Sequence, residues 1–405
     1  MAEASLLNGV RPDHRGSLLF PRNGPATAAA LFHGVDGGPL GPADPDIWDA
    51  ELPVLLGQRL SGLAIAAARR CGVQLATETS SRLQQSHMRS VATALTVEST
   101  ALPVLAELEH HGIPLVVTKG PGITRVYPQT SLRPFGDLDV LVPPEAFDRS
   151  LRAIRSLGFT EYFDEGEPHP YFDRLCREGV NLIRADGGSI DLHHHVPPWV
   201  WGRHLGFREL FATSQVIEVA GGIVRVPHPV HNLLIAALHV TSDRKAEPGQ
   251  KLLTWRDVVA LTAVCDPEAV VREARRANLD WYLEFILRQL PQNVRPARLL
   301  ELLGRPRTNV SDRFRRRRLL PPSLGSRHQI AAAFRLPLPN AAAFLVGYVF
   351  PSPSFLERRF GSRFAYVTWW RDAVSRLREA THSRVDSSSP IRNGSGQLSA
   401  REEVR

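Results

Sequence analysis

Lysine is nearly missing from this chain. Of 49 basic residues among 405, only Lys119, Lys245 and Lys251 are lysines, and the rest are arginines. With abundant alanine, that bias points to a GC-rich, bacterial genome. Cysteine is scarce as well. Cys71, Cys176 and Cys265 are odd in number and widely spaced, which argues against a disulfide framework and for a reducing compartment. Long apolar runs are also missing: the stretch from Ala341 to Phe350 is too short to span a bilayer, and no basic segment with an apolar core follows Met1. The expectation is a cytoplasmic protein without a membrane span. A hydrophobic content of 43% suits a globular chain, and the length suits two or three domains. The net charge of +8 and a pI near 9.9 leave a polyanionic partner open.

Against that background Lys119 stands out. It closes the β-branched run Ile113 to Thr118 and opens Lys119-Gly120-Pro121-Gly122, ahead of a helix expected from Ile123 to Tyr127. Strand, glycine turn and helix start form an anion-binding geometry, because free backbone N–H groups and the positive helix end face the ligand. A solvated strand end with an ordinary turn is the competing reading.

Further on, Arg133-Pro134-Phe135-Gly136-Asp137-Leu138-Asp139-Val140-Leu141-Val142 sets two carboxylates one residue apart in an apolar strand. Alternation turns Asp137 and Asp139 to one face, roughly 6.5–7 Å apart along the backbone. Such a pair suits Mg²⁺, which takes one or two carboxylates plus substrate phosphates. Val180 to Arg184 and Ser189 to His193 read as a hairpin turning through Asp186-Gly187-Gly188, which sets Asp191 on a neighbouring strand as a third carboxylate. An edge-strand aspartate is the alternative. His193 lies on the face with Asp191 and is a candidate supporting residue. The run His193-His194-His195 makes no metal site by itself, since alternate residues face apart and no third ligand sits at zinc-like spacing. His231, Ile235 and His239 share one helical face.

These residues resemble a known family. Lys119-Gly120, Tyr127 through Leu132-Arg133-Pro134, Gly136-Asp137-Leu138-Asp139-Val140-Leu141-Val142 and Ile190-Asp191-Leu192-His193 are similar to the uncharacterised nucleotidyltransferases of the DNA polymerase beta superfamily. The helix His231 to His239 and the later Leu252 to Val259 extend the resemblance, which covers roughly residues 95–290. It implies an α+β fold: a small mixed β-sheet core flanked by helices, with N-terminal helices and a helical C-terminal region. It also implies Mg²⁺-dependent transfer of a nucleotide from an NTP, ATP among them, to a hydroxyl of an unidentified acceptor, with Mn²⁺ as a substitute metal. Asp137, Asp139 and Asp191 would be the metal-binding and catalytic triad, and Lys119, Gly120, Gly122 and Arg133 would hold the triphosphate. Arg133 is equally readable as a surface arginine before proline. The resemblance raises His239 as a pocket residue, with Asp243 and Asp257 behind it. In one respect the chain departs from the superfamily, which usually carries Gly-Ser where Lys119-Gly120 stands. That variant is shared with this family and with the nucleotidyltransferases of abortive-infection toxin systems.

The expected organisation is an irregular leader over 1–45, N-terminal helices over 46–112, the catalytic core over 113–228 and a helical domain over 229–292. A basic, aromatic helical region over 293–381 and a disordered tail over 382–405 follow. Helical spacing marks Leu56 to Ala67, Thr77 to His111, Glu145 to Leu157 and Val230 to Leu290, while Pro197 to Trp201 reads as a loop whose tryptophans either pack or stack on a base. Arg313, Arg315, Arg316, Arg317 and Arg318 form a basic cluster beside Phe314, which suits a solvated face, an acidic partner or nucleic-acid phosphate. Three other functions therefore stay open: a toxin acting on tRNA, a glycosyltransferase using Asp-x-Asp for Mn²⁺ and a nucleotide-sugar, and a non-catalytic nucleotide- or RNA-binding module.

Overall fold

A computed structural model describes residues 20, 23–162, 179–197, 199–202, 204–242, 252–304 and 338–382. The arginine cluster at 313–318, Asp243 and the tail beyond residue 382 lie outside the described residues. The fold is α+β.

The N-terminal part is helical earlier than composition suggests. Helix α1, Pro25–Leu31, lies within the stretch read as an irregular leader and buries six of its seven residues. Its alanines are small enough for close packing against α3. Helix α2, Pro45–Gly57, starts at Asp44, whose carboxylate accepts a hydrogen bond from the Asp46 N–H, with Pro45 in the first turn. The helical stretch expected through Leu56 to Ala67 breaks at Gln58–Leu60. There Arg59 takes φ 57°, and the Leu60 N–H reaches back to the Leu55 carbonyl, before α3 runs over Ser61–Arg70. Helix α4, Thr77–His110, is long and apolar enough to cross a bilayer by length and composition. In this fold it buries Leu83, Val97, Val104, Leu105 and Leu108 and packs on the sheet and neighbouring helices.

Five strands form the main sheet: β1 Val116–Thr118, β2 Leu138–Leu141, β3 Thr160–Glu161, β4 Gly179–Ile183 and β5 Ser189–His193, in the order β1-β2-β5-β4-β3. Strands β1 and β2 are antiparallel, β2 and β5 parallel, and β5, β4 and β3 antiparallel in succession. The β4–β5 hairpin turns as its Asp-Gly-Gly predicts. Gly187 takes φ 90° and the Asp186 carboxylate accepts the Gly188 N–H at 3.1 Å. Between β1 and β2 lies the short α5, Gly120–Thr124, which begins earlier than the Ile123 start expected from sequence. Helix α6, Phe147–Ser156, follows β2 where a helix was expected.

Alternation along β2 and β5 separates two environments. Leu138, Val140, Ile190 and Leu192 join Val180, Leu182, Ile154, Phe159 and the α4 residues Val97, Val104 and Leu108 in one core. Asp139, Leu141, Asp191 and His193 belong to the opposite face.

After β5 come the one-turn helix α7, Trp199–Gly202, and α8, Phe207–Ala212. Trp201 is buried edge-on against Trp281, so its ring packs in the protein. A hairpin of β6, Gln215–Val219, and β7, Gly222–Val226, turns at Ala220 and Gly221, both with positive φ. That hairpin was not expected, although its alternation and Gly221-Gly222 carry a hairpin signal. Helices α9 Pro229–Ser242, α10 Leu252–Val264, α11 Pro267–Arg276, α12 Asp280–Gln289 and α13 Ala297–Leu303 complete the second core with α1–α3, around Trp48, Leu63, Leu233, Leu238, Val258 and Leu283. Helices α14 Leu338–Val349, α15 Pro353–Phe360 and α16 Tyr366–His382 follow, with Phe355, Leu356 and Trp369 clustering separately.

Candidate active site

The site is built by strand register. Asp139 is the Cα partner of Thr118 on one side and of Asp191 on the other. Parallel partners turn their side chains to the same face, so the two carboxylates stand side by side. His193, two residues beyond Asp191, joins them: its Nε2 lies 3.0 Å from Asp191 Oδ2 and 3.3 Å from Asp139 Oδ1. The Lys119 ammonium donates to Asp139 Oδ1 from the far side.

Asp139, Asp191 and His193 place ligand atoms all within 4.8 Å of one another. Asp191 Oδ1 is buried and has no hydrogen-bond partner among the described residues. Two carboxylates, an imidazole and one unspent buried oxygen suit a divalent cation by donor chemistry. Asp137 stands outside this tight group because β2 begins only at Leu138. It still feels the site's charge: burial, then Asp139, push its carboxyl above the ordinary range, while Lys119 draws it back. His193, a candidate supporting residue by sequence, lies between the two carboxylates.

Electrostatics binds the group together. Burial disfavours a charged imidazole at His193, but Asp191 and Asp139 outweigh it and raise the pKa to about 10. Burial likewise opposes the charge of Asp139, yet Lys119, His193 and His239 together hold its carboxyl far below the usual range. His239 is buried on α9, close enough for its charge to act on Asp139. Room for the His193 ring comes from Gly179, its register partner, where a Cβ would sit 2.5 Å from Nδ1. His194 instead packs on Phe147.

Lys119 adopts φ 53° and ψ −130°, a conformation that suits glycine and costs a lysine on the order of 1–3 kcal/mol. Holding its ammonium at Asp139 accompanies that strain. Gly120 follows with φ 21°. Gly122 plays a packing part: its N–H bonds the Lys119 carbonyl, and a Cβ there would lie 3.1 Å from Val226 and 3.3 Å from Asn232.

Arg133, expected at the triphosphate, ion-pairs with Asp257, and its charge also acts on Asp139 and Asp137. Its Nε and Nη2 donate to the two Asp257 oxygens at 3.1 and 2.8 Å, and Tyr127 donates to Asp257 Oδ1 at 2.7 Å. All three are buried, and the Arg256 guanidinium lies 5.1 Å over the Tyr127 ring. This network fastens α10 to the segment leading into β2. Asp257 is thus a structural partner of Arg133 and Tyr127.

A second arginine approaches Asp137. Arg59, exposed at the α2–α3 break, sets its guanidinium nitrogens 3.7 Å from where a Cβ on Gly136 would be, and its charge couples to Asp137. Sequence reading missed it, since a lone arginine between two helices carries no motif; the nearest signal was the Gly57-Gln58 helix stop before it.

The family described as uncharacterised nucleotidyltransferase matches residues 44–293, a stretch that contains α2 through α12 and every residue of the cluster. Among curated proteins none matches the chain.

Proposed function

The chain belongs to the uncharacterised nucleotidyltransferase family, and from that premise we propose that it transfers a nucleotidyl group from an NTP to an acceptor hydroxyl. The observation that carries this reading is the register pairing of Asp139 with Asp191, beside the Lys119 ammonium. Asp139 and Asp191, with Asp137 at the strand start, would hold Mg²⁺, or Mn²⁺ in its place. Bound there, such a cation neutralises phosphate charge and orients the triphosphate.

In the proposed reaction the acceptor oxygen forms a bond to the α-phosphorus as the bond from that phosphorus to the β-bridging oxygen breaks. Pyrophosphate leaves with the electron pair, and Asp191 takes the hydroxyl proton. Lys119 and the exposed Arg59 bind the triphosphate oxygens, replacing Arg133 in that part. His193 keeps the two carboxylates facing one another, and His239 adds positive potential behind Asp139. Positioning and charge compensation carry such a transfer.

The acceptor class is a small molecule, peptide or protein. A tRNA acceptor draws its support from the Arg313–Arg318 cluster, outside the described residues, and glycosyl transfer would draw on the same carboxylates but has no use for Lys119-Gly120. Calorimetric titration with the four NTPs and UDP-sugars, with and without Mg²⁺ or Mn²⁺, tests the reading. Metal-dependent NTP binding that disappears in Asp139→Asn is the expected result. A preference for UDP-sugars, or binding unaffected by metal and by the substitution, overturns it.

A further inference from the structure

A second cluster lies away from the sheet, where three helices meet. Glu209 on α8, His231 on α9 and Glu273 on α11 bring ligand atoms within 4.8 Å of one another. His231 Nε2 lies 3.6 Å from Glu209 Oε1 and 3.6 Å from Glu273 Oε2, too far for a hydrogen bond to either. The His231 side chain is 3% exposed, and this nitrogen is buried with no hydrogen-bond partner among the described residues.

Its other nitrogen faces Thr213. The Thr213 hydroxyl donates its one hydrogen to the Glu209 carbonyl at 2.9 Å, so toward His231 Nδ1, 3.3 Å away, it can only accept. Nδ1 then carries a hydrogen toward Thr213, and Nε2 is the ring atom that faces the two carboxylates. The three groups converge on one point, and the two carboxylate oxygens that face His231 are the ones Arg276 pairs with. The nearby charges leave the point negative: Glu209 and Glu273 are met by Arg276, which pairs with both from the rim, and His228 is the other titratable neighbour. Arg276 is 44% exposed, so a cation displacing it would leave its guanidinium in contact with water.

We infer that Glu209, His231 and Glu273 form a binding site for a transition-metal dication of the Zn²⁺ class, separate from the carboxylates of the sheet. Imidazole plus two carboxylates is a donor set for Zn²⁺ or Mn²⁺ rather than Mg²⁺. Bonds of about 2.1 Å in tetrahedral array put neighbouring ligand atoms about 3.4 Å apart, close to the 3.6 Å found on both sides of His231. Three protein ligands leave a fourth position for water. The Thr213 contact to Nδ1 is the kind of outer partner that orients a metal-bound histidine. Occupied, the site ties α8, α9 and α11 together and steadies the helix that carries His239 two turns further on, roughly 12 Å along its axis.

The test uses the full-length protein stripped with chelator and titrated with Zn²⁺ alone, followed by calorimetry and by melting temperature. The Asp139→Asn/Asp191→Asn variant removes the other cluster. One Zn²⁺ bound in that variant with a rise in melting temperature, and lost in the same background carrying Glu273→Gln, is the expected outcome. Thr213→Val should weaken binding about tenfold or more. Arg276→Ala should tighten it, because it removes the cation that competes for both carboxylates, and this variant leaves the buried histidine untouched should Glu273→Gln fail to fold. Zinc binding abolished by Asp139→Asn/Asp191→Asn, or unchanged by both Glu273→Gln and Arg276→Ala, overturns the site. Neither result bears on NTP binding at the sheet.

Discussion

Asp139 and Asp191 are register partners on parallel strands, and His193 Nε2 reaches both carboxylates, at 3.3 and 3.0 Å. Their charges, together with the Lys119 ammonium, make one interdependent cluster. Removing any member changes the cost of burying the others.

Asp139→Asn should therefore do two things at once. Metal-dependent NTP binding and turnover should be lost, and the metal-free protein should lose about 3 kcal/mol in urea unfolding, since the buried Lys119 and His193 charges lose their shared counterion. Asp191→Asn should abolish turnover with a smaller stability loss, because Lys119 keeps its bond to Asp139. Full activity in either variant would refute the mechanism.

Arg59 and Arg133 should separate function from stability. Arg59→Ala is expected to raise the KM for NTP with little change in melting temperature. Arg133→Ala leaves Asp257 buried without its bidentate partner and should cost about 3–5 kcal/mol. Steady-state kinetics beside urea melts would show this crossing pattern, and the reverse assignment would return Arg133 to the phosphates.

The positive φ of Lys119 offers a backbone test. Lys119→Ala and Lys119→Gly both delete the ammonium, but only glycine relieves the strain, so the glycine variant should be the more stable by about 1–3 kcal/mol. Both should weaken triphosphate binding more than monophosphate binding. Equal losses for the two ligands would remove Lys119 from the phosphate-binding role.

At Gly179 an added methyl meets the Leu192 carbonyl oxygen and, at 2.5 Å, His193 Nδ1, so it would both spread β4 from β5 and press on the ring. Gly179→Ala should turn the ring away from the carboxylates, which reads out as a shifted imidazole resonance in NMR and weakened metal binding. Unchanged values for both would show that the ring position does not depend on this close approach.

Stability should peak near neutral pH. Burial lowers the pKa values of His87 and His195, so the stability tied to their neutral forms is present above the ordinary histidine value of about 6.5 and falls as pH drops through the lowered values. His193 has the opposite sign. Its pKa, raised to about 10 by Asp191 and Asp139 against the effect of burial, gives stability that is full below about 6.5 and is lost as pH rises through 10. Urea midpoints from pH 5 to 10 on metal-free protein should trace a dome whose acid limb flattens in His195→Gln and whose alkaline limb flattens in His193→Gln. A profile without an acid limb would contradict the His87 and His195 assignment, and one without an alkaline limb the His193 assignment.

Much of this was legible in the chain before folding. Local signals announced the two strands, the Asp-Gly-Gly hairpin, α4 and α6, because alternation, turn chemistry and helical spacing act between near neighbours. The carboxylates and Lys119 were visible as residue types out of place in apolar strands or in an arginine-using chain. Helix α1 escaped notice because its alanine-rich, glycine-flanked stretch carries no amphipathic stripe, and the β6–β7 hairpin was passed over despite its alternation.

Sequence by itself marked Lys119, Asp139 and Asp191 as candidates and determined which strand face Asp139 and Asp191 occupy, since side-chain alternation needs only the strand's own residues. Tertiary structure alone decided how those groups were shared out. It gave Arg133 to Asp257, brought Arg59 to the site from a helix junction, moved His193 between the carboxylates, and gathered Glu209, His231 and Glu273 from three helices. The physical reason is that charge pairing in a low-dielectric interior depends on distances across the fold, and those exist only once the strands and helices have packed.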